Sequence, residues 1–135
     1  MADAPGSVID ASALLALLQD ENGADEVVEA IADGAAISTV NLSEVLAKLA
    51  EHGQPAVVAL GSIHEAAEGA LQIEPFTEDD AAQAADLRPR SKAQGLSFGD
   101  RACLALATRF AVPALTADRD WQKLPDVGVA VKLIR

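Results

Sequence analysis

Hydrophobic positions along the chain follow two alternating rhythms. Short apolar runs rich in β-branched residues give way to longer stretches in which apolar residues recur three or four apart. Residues 7–10 (SVID) read as a first strand, and the apolar run after them as a helix reaching about Gln19. ADEVVEAIADG sets Val27, Val28 and Ile31 at helical spacing, with Gly34 as a stop. AAIST is a second short strand, and NLSEVLAKLAEHG a helix closed by Gly53. PAVVALGSIHEAAEGA opens with Pro55, suited to a first helical turn, and makes a fourth helix. LQIEPF is a third strand and TEDDAAQAADLR a fifth helix. SFGDRACLALATRF is a sixth, with Ala102, Leu104, Leu106 and Phe110 largely on its buried side. VPALTAD and VGVAVKLI supply the fourth and fifth strands. Strands alternating with helices predict an α/β fold with a short, mostly parallel central sheet covered on both faces, a three-layer α/β/α sandwich. No repeat, linker or low-complexity tail interrupts the pattern, so residues 1–135 read as one domain.

Composition refines this picture. Half the residues are hydrophobic but only 3% are aromatic, so the core must be built from Ala, Val, Leu and Ile. The net charge of −11 makes a surface that repels polyanions. A nucleic-acid substrate would need local basic residues and metal ions, whereas a basic protein partner would suit the surface directly. A single cysteine, Cys103, excludes an internal disulfide and a cysteine-based zinc site, and is most simply a small core residue. The opening MADAPGSVID has no basic stretch followed by a longer apolar segment, and no uncharged run approaches the roughly 18 residues of a membrane span. A cytoplasmic protein without a membrane segment is expected.

Candidate chemistry lies in the acids. Open parallel α/β sheets form their sites beyond the carboxyl ends of the strands. Asp10 ends the first strand, and Asp118 follows the fourth. Glu44 is expected in the first turn of the helix after the second strand, and Asp100 in the first turn of the sixth helix. Four acids from four segments could thus converge. Each also has a plainer reading. Asn41-Leu42-Ser43-Glu44 and Ser97-Phe98-Gly99-Asp100 both fit a capping box, as does Thr77-Glu78-Asp79-Asp80, to which no chemistry is assigned. Asp118 fits a turn, and Asp10 an N-cap. Asp10 is the hardest to dismiss, because a carboxylate among apolar neighbours is costly unless capped, paired or metal-bound. Taken together, close carboxylates repel unless a cation joins them, and hard oxygen ligands suit Mg²⁺ or Mn²⁺. One or two such ions can clamp a phosphodiester, activate water and stabilise the leaving oxygen.

Three blocks, VIDASALLALL, STVNLSEVLAKL and LSFGDRACLALATRFAVPALTADRDW, resemble the PIN-domain ribonucleases, specifically the VapC-type toxins of bacterial toxin–antitoxin pairs. They stand in the family's order and cover less than half the chain; the last, with two acids, is the most specific. The resemblance implies a metal-dependent endoribonuclease with Asp10, Glu44, Asp100 and Asp118 as its catalytic, metal-binding acids. It implies that Thr116 helps to position a metal-bound water or a ligand, that Asp120 is an accessory acid, and that Ser12 and Asn41 play supporting roles. It further implies a homodimer silenced by a cognate antitoxin, often through a basic side chain in the acidic pocket, where a guanidinium pairs bidentately with a carboxylate. Residues 55–93 carry no signature of the family.

Other residues leave alternatives open. Arg88, Arg90 and Lys92 form the basic cluster RPRSK, which reads either as an RNA contact or as a solvated loop interrupted by Pro89. Arg101 could touch a phosphate or be an exposed helix charge. Trp121 could stack on a base, but in an aromatic-poor chain it reads rather as a packing anchor. His52 and His64 lack a partner at ligand spacing and read as surface or helix-end residues. A phosphatase or a phosphoaspartate receiver would need a second acid beside Asp10, where Ser12 stands instead. The competing class is a non-catalytic acidic module that binds a basic peptide or protein.

Overall fold

A computed structural model describes residues 4–135; Met1, Ala2 and Asp3, the first residues of the predicted domain span, lie outside the described residues. Strands β1 (Ser7–Ile9), β2 (Ala35–Ser38), β3 (Leu71–Glu74), β4 (Ala114–Thr116) and β5 (Val131–Leu133) form one sheet in the order β3-β2-β1-β4-β5. All four pairings are parallel. Helices α1 (Ala11–Leu18) and α2 (Ala24–Ala32) connect β1 to β2, and α3 (Thr39–Glu51) and α4 (Ala56–Ala66) connect β2 to β3. Helices α5 (Glu78–Ser91) and α6 (Phe98–Phe110) connect β3 to β4. A short 3₁₀ helix, Arg119–Lys123, bridges β4 and β5.

The period-2 alternation of the strands divides the core into two layers. Ile9, Ile37 and Leu115 face one side, where they join Ala13 and Leu14 of α1, Val27 of α2, Val45 of α3 and Ile63 of α4. Val8, Ala36 and Ala114, in register with one another, face the opposite side and meet Leu87 of α5 and Cys103, Leu104 and Ala107 of α6. The expected α/β/α sandwich is thus present, with a sheet that is wholly parallel. Ala36 and Ala114 present almost no side chain, which suits the Cys103 and Ala107 face of α6 lying against them. Residues 102–107 of α6 are all buried, a consequence of α5, α3 and the sheet surrounding it. Trp121, in the 3₁₀ helix, is 2% exposed and packs into this layer, as a packing anchor should.

Helix boundaries follow their caps. Gly34 and Gly53 stop α2 and α3 at φ of +100° and +91°, a region costly for any residue with a Cβ. Thr77 and Asp80 make the expected capping box of α5. Two expectations need correction. Helix α3 begins at Thr39, because the Ser38 hydroxyl accepts from the Val40 amide at 3.2 Å and takes the cap. Asn41-Leu42-Ser43-Glu44 is therefore no capping box, and Glu44 lies in the second turn. The RPRSK stretch is likewise not a loop. Helix α5 runs through Pro89 to Ser91. Proline costs one amide bond there, to the carbonyl of Ala85, which is exposed and open to water. The Ser91 hydroxyl donates to the Leu87 carbonyl at 2.6 Å and supports the final turn. Among the described residues no helix is long and apolar enough to cross a membrane.

Candidate active site

Asp10 leaves β1 in an extended conformation and caps α1, its Oδ1 accepting from the Ala13 amide at 2.9 Å. The Ser12 hydroxyl donates to the same oxygen at 2.7 Å, and the Thr116 hydroxyl donates to Oδ2 at 2.5 Å. Ser12 in turn accepts from the Ala117 amide at 2.9 Å, and Thr116 Oγ1 from the Asp118 amide at 3.1 Å. These bonds lock the ends of two adjacent strands to each other and fix the plane of the Asp10 carboxylate. The N-cap reading of Asp10 is correct, and with two bonds accepted by Oδ1 and one by Oδ2 it leaves a lone pair on Oδ2 free for another partner.

The other acids arrive from three directions. Asn41 is 1% exposed; its Nδ2 donates to Glu44 Oε1 at 2.9 Å and to the Gly99 carbonyl at 2.9 Å, tying α3 to the start of α6. A Cβ on Gly99 would fall onto the Glu44 carboxylate, which would have to swing away from its bond with Asn41. Asp100 completes a capping box: its amide donates to Ser97 Oγ at 3.1 Å, and its Oδ2 accepts from the Ser97 amide at 3.0 Å. Asp118 Oδ1 accepts from the Asp120 amide at 2.9 Å and starts the 3₁₀ helix. Asp10, Ser12, Asn41, Glu44, Asp100 and Asp118 line one pocket of about 330 Å³ at the carboxyl edge of the sheet. Asp120 points away, exposed, with Lys123 at 3.5 Å.

Electrostatics mark this pocket. Burial raises the Asp10 carboxyl to about 6; bonds from Thr116, Ser12 and the Ala13 amide oppose the rise, and the charge of Asp100 adds to it. Burial also raises Asp100, against its two bonds to Ser97, with the Asp118 charge adding and Arg101 opposing. Burial pushes the Cys103 thiol well above its ordinary value, and the charges of Asp10, Asp100 and Glu44 push it further. Cys103 is therefore an inert core thiol.

The residues fit a divalent cation by donor type. The set is four carboxylates, and the buried Asn41 Oδ1 lacks any hydrogen-bond partner. These are hard oxygens, the preference of Mg²⁺ or Mn²⁺. Among the described residues no three acidic, histidine or cysteine side chains are gathered tightly enough to form a ready-made cage. The pocket instead spreads its acids around a space open to solvent, as an ion that keeps several waters requires.

The basic residues singled out in the sequence lie elsewhere. Arg90 donates to the Asp126 carbonyl, and Arg88 and Lys92 are exposed on the end of α5 and the turn after it. Arg101 is no free surface charge. Its Nη1 donates to the Ala84 carbonyl at 3.1 Å, and its guanidinium lies 5.8 Å from the Phe98 ring centre. The cation that does line the pocket is Lys48, which sequence reasoning missed. Its signal was present: it stands four residues after Glu44, on the same helical face.

Because Ser97 both caps α6 and orients Asp100, Ser97→Ala is expected to cost about 1 kcal/mol. In a chain of this size that lowers the thermal midpoint by about 4 °C, readable by calorimetry.

No curated protein matches the chain. Solved structures match its fold at low identity. DNA-bound VapBC from Salmonella typhimurium is 14% identical, with a TM-score of 0.73, covering 97% of this chain and 99% of that one. VapBC2 from Rickettsia felis, bound to a promoter DNA fragment, is 15% identical, with a TM-score of 0.72, covering 94% and 97%. VapC20 from Mycobacterium tuberculosis, a sarcin–ricin-loop-cleaving toxin, is 20% identical, with a TM-score of 0.63, covering 91% and 98%. The family model for the PIN domain matches residues 7–127, from β1 past the 3₁₀ helix and across all four pocket acids, and the chain belongs to the PIN-domain family.

Proposed function

We propose that the chain is a metal-dependent endoribonuclease, a single PIN domain over residues 1–135 that acts as the toxin of a toxin–antitoxin pair. One observation carries the reading. Four acids from four separate segments line a single pocket, where burial and mutual charge hold Asp10 at about 6, far above an ordinary aspartate. A pocket built at such electrostatic cost is one that a cation relieves.

Asp10, Glu44, Asp100 and Asp118 would hold one or two Mg²⁺ or Mn²⁺ ions. When bound, such an ion activates water and stabilises the departing 3′ oxygen of the phosphodiester. The protein's part is to fix its ligands in advance. Thr116 and Ser12 orient the Asp10 carboxylate, and Asn41 orients that of Glu44. Ser97 holds Asp100, while the exposed Asp118 marks the side from which substrate enters. Asp120 lies outside the pocket: its backbone amide holds the Asp118 carboxylate, and its own exposed carboxylate is an accessory acid. Arg88, Arg90 and Lys92 offer RNA a more distant phosphate contact; Arg101, committed to Ala84, acts chiefly by moderating the charge of Asp100.

The structural neighbours solved as VapBC support an antitoxin partner for this chain, and an acidic pocket accommodates a basic side chain from it. A homodimer in the cytoplasm completes the proposal. Its test is incubation of the purified, antitoxin-free chain with total cellular RNA in Mg²⁺, in Mn²⁺ and in chelator. Discrete fragments that require metal are expected. If total RNA and defined single-stranded and tRNA-like RNAs all survive the folded, metal-supplied protein, the acidic module that binds a basic partner is the better account.

A further inference from the structure

The pocket that gathers the four acids also contains one cationic side chain. Lys48 lines it beside Asp10, Glu44, Asp100 and Asp118, one helical turn beyond Glu44 on α3. A glutamate four residues before a lysine is the favourable arrangement for an ion pair along a helix. Yet Lys48 makes no ion pair among the described residues. Glu44 Oε1 is engaged by the Asn41 amide instead, and the Lys48 side chain remains exposed.

A free ammonium at this position has a specific use. The chain carries a net charge of −11, so a phosphodiester approaching the acids meets a repulsive field. Counter-charge must come from bound cations and from nearby basic side chains. Arg88, Arg90, Lys92 and Arg101 are not in the pocket wall, and two of them are tied to backbone carbonyls. Lys48 is the cation that remains at the right place. Its ammonium is a mobile point charge that can follow a phosphate oxygen without the fixed geometry a guanidinium demands.

We propose that Lys48 binds a backbone phosphate of single-stranded RNA at the mouth of the acidic pocket, next to the phosphodiester to be cut. The assignment rests on the nuclease reading and adds a substrate-binding residue to it. Exposure of Lys48 makes its replacement harmless to the fold.

The experiment uses a short fluorescent single-stranded RNA and the full chain carrying Asp10→Asn, with Mg²⁺ present, so that binding is read without cleavage. Adding Lys48→Gln is expected to weaken binding about tenfold and to flatten the slope of log affinity against log salt by about 0.7, one phosphate contact. Lys48→Arg restores both. In cleavage by the chain with its acids intact, the loss for Lys48→Gln falls on KM rather than kcat. The proposal is overturned if Lys48→Gln leaves RNA affinity and salt slope unchanged, or if it only tightens Mn²⁺ binding, the mark of a residue that merely neutralises the pocket. If the unsubstituted chain cleaves RNA and Lys48→Gln matches it in KM, the Lys48 assignment alone falls. If the unsubstituted chain cleaves no RNA and its Asp10→Asn form binds none, the nuclease reading falls and takes this one with it.

Discussion

Asp10→Asn is expected to lower metal-dependent RNA cleavage by about a thousandfold or more while leaving the protein folded. The substitution keeps the shape of the side chain, and asparagine is as good an N-cap as aspartate. Its oxygen can still accept from the Ala13 amide and the Ser12 hydroxyl. Its new amide meets Thr116, whose hydroxyl can turn from donor to acceptor. What disappears is the charge. A ligand set that loses its most buried anion loses several kcal/mol of cation affinity and transition-state stabilisation, and each 1.4 kcal/mol is a factor of ten in rate. Cleavage assays on both proteins, with circular dichroism to verify the fold, decide the point. Cleavage within tenfold of the unsubstituted chain would remove Asp10 from the metal-binding set.

The same residue gives the second large effect, on stability. With no metal bound, the folded state holds the Asp10 proton up to about pH 6, whereas the unfolded chain releases it near 3.8. Below both values each state is protonated and Asp10 costs nothing. Between them the unfolded state ionises first, so stability falls as pH rises. Above 6 the whole cost is present, on the order of 3 kcal/mol for a shift of this size. Other carboxylates that are favourably paired in the folded state contribute the opposite trend at acid pH, so the informative quantity is a difference. Metal-free Asp10→Asn is expected to match the unsubstituted chain near pH 4. Its advantage should grow to as much as about 3 kcal/mol by pH 7, followed by urea unfolding at each pH. Mg²⁺ or Mn²⁺ at pH 7.5 should close that gap by stabilising the unsubstituted chain alone. A pH-independent difference between the two proteins would mean that Asp10 is not held protonated by burial.

The five strands, their parallel pairing and the layering were largely legible in the sequence, because buried parallel strands announce themselves as short apolar runs; the strand order was not. Asp10 was legible for the same reason, as an anion where the pattern allows none. Both of its readings are correct together: it caps α1 and it faces the pocket. What the pattern misplaced was helical phase. Ser38 and Asn41 are both good N-cap residues, and only the pairing of β2, which runs to Ser38, decides between them. With the start of α3 set three residues late, Asn41 read as a cap rather than as the buried amide joining Glu44 to Gly99. Lys48 stands four residues after Glu44 whichever residue starts the helix, and that spacing alone does not separate a pocket lysine from a solvated one. Pro89 misled in a similar way. A proline ends most helices, but here the carbonyl it orphans faces solvent and the Leu87 and Ser91 contacts carry the helix past it. The 3₁₀ helix with Trp121 at its centre left no periodic trace, being too short for one.

Mn²⁺ binding measures, without any assumption about substrate, whether the four acids form one cation site. Calorimetric titration at pH 7.5 of the unsubstituted chain and of Asp10→Asn is expected to show binding to the first and at least about tenfold weaker binding to the second. Equal binding by both proteins, or none by either, would contradict a single shared site.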